Sequence, residues 1–281
     1  MYTVFDIKMR ANGWIIKRGA NVMKIGCNWS EELFNLIQDK CVNIDYIKSF
    51  QSVLFDIDFE RMRSLKPILL HGLGYEANIG MKNIRVVDFQ QANELIKKCG
   101  SPHYGFHSFI PKNDISIGMT NEDIHIYISE RIQFLKKNLL VPLLIENMPD
   151  IHSEEDAFYP YFEAEKIGRL VIDNDINLLL DLTHAKLTSI SNNWNVHDFL
   201  KDLPLERVKE IHVNGSGYDN QGFPDDTHQS MSDADYELLD WILTYSNPDI
   251  ITLEYKGVAY ESSDLISENL YYQLKMLNSM L

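Results

Sequence analysis

Short apolar runs that each end in a histidine or a carboxylate recur along this chain, and they restrict its fold more than any other feature. Six of them are PILLH (67–71), HYGFH (103–107), PLLIE (142–146), NLLLD (177–181), VKEIH (208–212) and IITLE (250–254). They lack strict apolar–polar alternation, which is typical of strands covered on both faces. Two earlier runs, VMKIGC (22–27) and IDYIKSF (44–50), have the same character without a terminal ligand. The sequence therefore predicts eight buried strands.

The spacing of these runs favours one α/β barrel over two small domains. Successive runs begin roughly 20 to 42 residues apart, and each interval holds one helix-like segment, as in repeated βα units. We therefore expect a single (β/α)8 TIM barrel over residues 1–281, with residues 1–21 as an N-terminal extension before the first strand.

Capping residues mark three of the predicted helix starts. They are Asp88 before FQQANELIKKC, Thr120 with Asp123, and Ser232 with Asp235. Long irregular pieces are expected only after strand ends, at 72–87, 108–120, 147–153, 185–194 and 214–231. Loops at the carboxyl ends of barrel strands form the active site of this architecture, so the strand-end ligands and the long loops should share one face.

Composition excludes several classes of function. The 26 basic and 41 acidic residues give a formal net charge of −15, which disfavours nucleic acid as a partner because binding phosphates needs clustered Lys and Arg. The three cysteines, Cys27, Cys41 and Cys99, form no CxxC pair, as expected in a reduced compartment. Charged residues interrupt the N-terminal apolar stretches and no run is long enough to span a bilayer. We expect a cytoplasmic protein without a membrane partner.

Nine strand-end and loop residues form a candidate metal-ligand set. They are His71, His107, Glu146, Asp181, His184, His212, Asp226, His228 and Glu254. Imidazole and carboxylate without thiolate suit zinc, iron or manganese and argue against an iron–sulfur cluster. One tetrahedral ion takes four ligands and one octahedral ion six, so the set predicts two or three metals that share a bridging carboxylate.

A single histidine at a strand end is more often a hydrogen-bonded rim residue than a ligand. The interpretation as a metal centre rests on concurrence, because six successive strands end in His, Glu or Asp. The other four histidines fail this test and are interpreted as structural or surface residues: His103, His125, His152 and His197. Aromatic residues near the expected mouth could line a substrate channel, although ordinary loop packing explains each equally well: Tyr75, Phe109, Tyr218, Phe223 and Tyr255.

Together these motifs resemble the xylose-isomerase-like barrel superfamily with multinuclear sites. Within it, the chain is similar to the multinuclear non-haem iron-dependent oxidative enzymes (MNIO). The segments that carry this likeness are HGLGYEANIG (71–80), LLIENMPD (143–150), LLLDLTH (178–184), VKEIHVNGSG (208–217) and DDTHQSM (225–231). The resemblance implies two or three iron ions with O2 as co-substrate, a peptide substrate modified at cysteine, and often a separate leader-recognition protein.

The ligand set also resembles, in kind and order, that of the endonuclease IV family of trinuclear zinc phosphodiesterases. On that pattern His71, His107 and Glu146 hold one zinc, and Glu146 bridges to a second held by Asp181, His212 and Glu254. The third is held by His184, Asp226 and His228. Many MNIO sequences have Asn where His184 stands, which favours the endonuclease pattern. The acidic charge, and the absence of a basic residue after His71 until Lys82, favour the oxidative one.

A sugar isomerase or epimerase is a further alternative, since relatives of this barrel use one or two divalent ions. Such a site typically needs fewer than nine ligands and a base, for which Lys186 or Lys256 could serve.

Overall fold

The computed structural model describes residues 23–50, 58–72, 84, 87–107, 110–111, 118–150, 157–158 and 162–281. The expected N-terminal extension, residues 1–21, lies outside the described residues. The strands are β1 Lys24–Asn28, β2 Tyr46–Phe50, β3 Ile68–His71, β4 Tyr104–His107, β5 Ile110–Pro111, β6 Leu143–Glu146, β7 Ala157–Phe158, β8 Asn177–Asp181, β9 Val208–Val213, β10 Gly215–Tyr218, β11 Pro224–Gln229 and β12 Ile250–Leu253.

The α-helices are α1 Glu31–Gln38, α2 Phe59–Leu65, α3 Phe89–Cys99, α4 Asn121–Asn138, α5 Ala164–Asp173, α6 Leu182–Ser191, α7 Val196–Lys201, α8 Asp233–Ile242 and α9 Ser263–Met280. Eight parallel strands close into a barrel in the order β1-β12-β9-β8-β6-β4-β3-β2. All eight predicted strands are present, and helices connect them, so the (β/α)8 barrel is confirmed. Among the described helices, none is both long and apolar enough to cross a bilayer.

The three predicted helix starts are confirmed. Asp88 accepts a hydrogen bond from the backbone N–H of Gln91, and α3 ends at Gly100 with φ of 66°, a left-handed value that glycine adopts without strain. Thr120 and Ser232 each form a capping box with the aspartate three residues later.

Apolar side chains cover both faces of the barrel strands, which explains the lack of alternation in the sequence. The outward residues of the strands, such as Ile47 and Phe106, pack in one large core with the helices. Inside the barrel, at the amino ends of the strands, Tyr46, Leu69 and Ile250 form a small apolar layer. Above that layer the interior becomes polar, and there the ionisable residues of the site begin.

Two of the expected irregular pieces are wrong. Residues 185–191 belong to helix α6, which starts directly after β8 because Asp181 caps it by accepting from the backbone N–H of His184. Most of 214–231 forms an antiparallel hairpin of β10 and β11. Its strands approach so closely that a Cβ on Gly215 would lie 2.2 Å from the Ser230 carbonyl oxygen, so this position requires glycine. The hairpin carries Asp226 and His228 back towards the barrel mouth.

Candidate metal centre

The first donor group lies at the ends of three neighbouring strands, β3, β4 and β6. His71 Nε2 is 2.9 Å from His107 Nε2 and 2.8 Å from Glu146 Oε2. His107 Nε2 is 3.1 Å from the same oxygen. Gly105 makes room for this arrangement, because a Cβ there would lie 2.9 Å from His71 Nδ1. The three side chains can therefore converge on one metal ion.

The second donor group is fully enclosed by β6, β8, β9 and the end of β12. His212 Nδ1 is 3.3 Å from Glu146 Oε1, 3.4 Å from Glu254 Oε2 and 4.0 Å from Asp181 Oδ2. One ligand atom from each of these four residues can be chosen so that all lie within 4.8 Å of one another. That spacing suits ligands of a single ion.

Glu146 belongs to both donor groups. Its Oε2 faces His71 and His107, and its Oε1 faces His212. A carboxylate whose two oxygens face different donor groups has the geometry of a metal bridge.

The third predicted set is assembled differently. Asp226 Oδ2 lies 3.1 Å from His184 Nε2 and 3.2 Å from His228 Nε2. His184 stands in the first turn of α6 rather than on a strand, and the other two residues stand on β11 of the hairpin. Among the described residues, this trio is not one of the groups whose donor atoms all lie within 4.8 Å of one another. The aspartate holds it together through two pairwise contacts.

The charges of the interior fit a bound cation. Among the described residues, the interior holds the buried ammonium group of Lys48 and four buried carboxylates: Glu146, Asp181, Glu210 and Glu254. Asp181 Oδ2 is buried without a hydrogen-bond partner among the described residues. Buried, uncompensated carboxylates are costly, and a divalent cation would offset that cost. The imidazole and carboxylate donors fit zinc, iron or manganese.

The pKa values show how strongly these groups interact. Burial raises the pKa of Asp181 to about 7, helped by the nearby acids. Burial alone lowers the pKa of His184, but Asp181 and Asp226 outweigh it and the pKa rises to about 10. Burial also raises the pKa of Glu146, yet His107 and His212 outweigh it and hold that pKa well below its ordinary value. A metal ion would replace the protons that Asp181 and His184 otherwise retain.

Two charged residues of the site were missed by the sequence interpretation. Lys48, on the inner face of β2, pairs with Glu254, and its Nζ lies 3.1 to 3.2 Å from both ring nitrogens of His212. Glu210, on β9, lies 3.2 Å from the same ring. The available signal was an ionisable residue in the middle of an apolar strand, because such a residue is rarely buried without a partner. His103 was predicted to be structural, and it is buried beside Glu210.

Asparagines one and two residues after predicted ligands hydrogen-bond to other residues of the predicted set. The side-chain amide of Asn147 accepts from the backbone N–H of Asp181 at 2.8 Å and donates to the Asp181 backbone carbonyl at 2.9 Å. The backbone carbonyl oxygen of Asn147 lies 2.9 Å from His184 Nδ1. Asn214 donates to Asp226 Oδ1 at 2.7 Å. The ENMPD and HVNGSG motifs therefore contain residues that orient the ligands.

The predicted channel aromatics lie in different environments. Tyr75 and Phe109 lie outside the described residues. Tyr218 and Phe223 are exposed on the hairpin, by 72% and 60%, so they can meet a substrate. Tyr255 is fully buried on the helix side of the barrel, where its hydroxyl donates to Glu261. The channel position expected for Tyr255 is wrong, because strand alternation turns it away once Glu254 faces inward.

The suggested isomerase bases belong to neither donor group. Lys186 pairs with Asp235 of α8, and Lys256 is exposed.

Solved structures share this architecture. The IOLI protein with a bound zinc atom superimposes with a TM-score of 0.64 at 13% identity, covering 92% of this chain and 99% of that one. A putative xylose isomerase from Rhodospirillum rubrum gives 0.62 at 16% identity, with 92% and 99% coverage. An AP endonuclease, family 2, from Brucella melitensis gives 0.58 at 13%, with 90% and 100% coverage. The fold is a xylose-isomerase-like TIM barrel.

A protein-family model assigns the chain to one family of proteins with this fold. The model described as RiPP precursor modification enzyme MbnB/TglH/ChrH matches residues 24–273. The chain belongs to this family, the MbnB/TglH/ChrH (MNIO) family. The predicted resemblance is therefore confirmed, and the family is one of metal-dependent enzymes.

Curated relatives are UPF0276 proteins. That of Acaryochloris marina is 27% identical over 178 residues, which cover 60% of this chain and 62% of the relative. That of Acinetobacter baylyi is 25% identical over 183 residues, covering 62% of each. The aligned part of the chain thus spans less than two thirds of the length of these relatives.

Proposed function

We propose that this protein is a multinuclear non-haem iron enzyme that uses O2 to modify a peptide oxidatively, at a cysteine, in natural-product biosynthesis. The observation that supports this proposal most directly is the position of Glu146, whose two oxygens face two separate donor groups. Family membership supports the peptide substrate. The nine predicted ligands would hold two or three ions.

The residues of the chain suggest how the site would be divided. Asp181, His212 and Glu254 are buried and would bind a metal ion out of reach of solvent. The side chains of His107 and His228, by contrast, are 34% and 36% exposed. A substrate would therefore approach across these two histidines, with Tyr218 on the hairpin as a contact. Bound iron would supply one-electron oxygen chemistry, which imidazole and carboxylate ligands with open positions support.

Reconstitution tests this proposal. The metal-free protein is loaded anaerobically with ferrous iron and mixed with any short cysteine-bearing peptide encoded next to its gene, with and without any leader-recognition protein encoded there. We expect a mass change in the peptide only after O2 is admitted, together with a change in the Mössbauer spectrum. Glu146→Gln, which keeps the side-chain shape, should abolish both. A colourless zinc-loaded protein that does not respond to O2 would contradict the proposal.

One observation favours a second candidate, a trinuclear zinc phosphodiesterase. His184 contacts Asp226, as a complete third ligand set requires. Zinc ions there would generate hydroxide and neutralise phosphoryl charge. The net charge of −15 opposes a nucleic-acid substrate. Cleavage of a duplex with an abasic site in the presence of zinc, manganese or cobalt would support this candidate, and no turnover with any of them would remove it.

A further inference from the structure

Glu210 lies inside the barrel beneath the donor groups, on the same face of β9 as His212. Its side chain is buried, with 3% exposure. Glu210 is not one of the predicted metal ligands, so metal binding does not explain why this carboxylate is buried. The explanation must lie in the groups that surround it.

Three polar groups surround the carboxylate of Glu210. Thr252 Oγ1 donates to Oε1 at 2.5 Å, and His212 Nε2 lies 3.2 Å from the same oxygen. His103 Nε2 lies 2.5 Å from Oε2. A carboxylate can accept from all three, and charge-assisted hydrogen bonds of this kind hold a side chain in one geometry.

These contacts distinguish the two nitrogens of His212. Nε2 faces Glu210, while Nδ1 faces Glu146 and Glu254. Lys48 does not distinguish them, because its Nζ is 3.2 Å from Nδ1 and 3.1 Å from Nε2. A histidine that donates one N–H to a carboxylate presents the lone pair of its other nitrogen to a metal.

We propose that Glu210 is a positioning residue of the metal centre: it accepts the Nε2 hydrogen of His212 and so directs Nδ1 to the second donor group. This role rests on metal binding in the proposed function, but not on iron or on the peptide. Glu210 itself needs no contact with metal or substrate.

The support for Glu210 extends to the opposite end of the barrel. His103 precedes β4 and lines a cavity of about 560 Å³ at the amino ends of the strands, together with Lys24, Tyr46 and Asp249. On the other side, Gly26 leaves space for Thr252, since a Cβ there would lie 2.6 Å from its Oγ1. The orientation of His212 therefore depends, through Glu210, on contacts that reach the amino ends of the strands.

Glu210→Gln tests the role while keeping shape. An amide has one acceptor oxygen, so at least one of the three surrounding groups loses its partner. In a cobalt(II) titration of metal-free protein, we expect one equivalent to bind about 10- to 100-fold more weakly than in the wild type, with an altered visible spectrum. The equivalent held by His71, His107 and Glu146 should keep its affinity.

Two further variants accompany the titration. Asp235→Asn is the matched control, because Asp235 is also a buried carboxylate but pairs with Lys186 and belongs to neither donor group. It should lower stability and leave both cobalt affinities unchanged. Thr252→Val removes one donor to Glu210 at nearly constant volume and should give a smaller loss of cobalt affinity with a similar spectral change. This variant decides the question if Glu210→Gln does not fold.

The tautomer gives a readout independent of activity. In zinc-loaded protein with ¹⁵N-labelled histidine, we expect His212 to carry its proton on Nε2 and metal on Nδ1. The reverse assignment, or wild-type cobalt affinity and spectrum in Glu210→Gln or, if that variant does not fold, in Thr252→Val, would overturn the role. A wild-type protein that binds neither cobalt nor zinc would instead overturn the metal centre, and this role with it.

Discussion

The second donor group and the third set differ in how the chain supports them. The second group stands on barrel strands, is enclosed, and contacts the buried charges of Lys48 and Glu210. The third set stands on a helix turn and a hairpin, where His228 has a φ of 49° and is 36% exposed. Both sets contain imidazole and carboxylate, so they differ in the elements that carry them and not in donor type.

This difference suggests a division of work within one site. Ligands on packed strands hold a geometry more precisely than ligands on a surface hairpin. We expect the enclosed group to retain metal and the third set to exchange it more readily. The metal position formed with hairpin residues Asp226 and His228 would then be the one whose occupancy changes when substrate binds.

Glu146→Gln should have the largest effect, because it removes the charge shared by two donor groups. We expect the first and second donor groups, the two inner positions, each to lose metal affinity by more than about 100-fold. Even residues that only orient a ligand change metal affinity by about 10- to 100-fold. The metal content per chain after dialysis measures this loss of affinity. Retention of both inner metals would show that Glu146 does not bridge.

Gly105→Ala should disturb the first donor group without changing any ligand. The added Cβ would lie 2.9 Å from His71 Nδ1 and 3.0 Å from Leu179 Cδ1. We expect an activity loss of roughly 100-fold from a displaced ligand and a stability loss of about 1–3 kcal/mol.

Gly168→Ala is the control for that variant. Gly168 lies in helix α5, and the nearest atom to an added Cβ is Pro204 Cδ at 3.6 Å, an ordinary contact. It should keep activity and gain up to about 1 kcal/mol of stability. Equal activity in the two alanine variants would mean that His71 tolerates displacement.

Asp226→Asn should affect the third set alone. The variant removes the charge between His184 and His228, so metal affinity there should fall by about 10-fold or more, while both inner positions keep metal. Asp225→Asn, the neighbouring residue on the hairpin, is the matched control and should behave as wild type. Loss of all metal in Asp226→Asn would contradict the independence of the two regions.

A smaller effect is expected from pH. In the metal-free protein the raised pKa values mean that the folded state binds protons more tightly than the unfolded chain. The resulting stabilisation is present at low pH and is lost as pH rises, through about 7 for Asp181 and about 10 for His184. Metal affinity should rise over the same range because ligands must lose protons. Melting temperatures with and without metal at pH 6 to 9 measure this, and a constant difference would contradict it.

Much of the fold and of the ligand set could be predicted because carboxyl ends of parallel strands converge, so a polar residue after an apolar run marks the mouth. The direction of side chains within strands could not be predicted in the same way. Lys48 and Glu210 are buried partners only because the closed barrel turns them inward, and Tyr255 faces the helices for the same reason. The helical position of His184 depends on the capping of α6 by Asp181, which was not among the predicted helix starts.

The most direct test of the bridged metal centre is the iron content and Mössbauer spectrum of anaerobically reconstituted protein, measured for the wild type and Glu146→Gln side by side. We expect two or three irons per chain in the wild type, with inequivalent sites, and joint loss of the irons of the first and second donor groups in the variant. One iron per chain, or a variant that loses one inner iron and keeps the other, would contradict it.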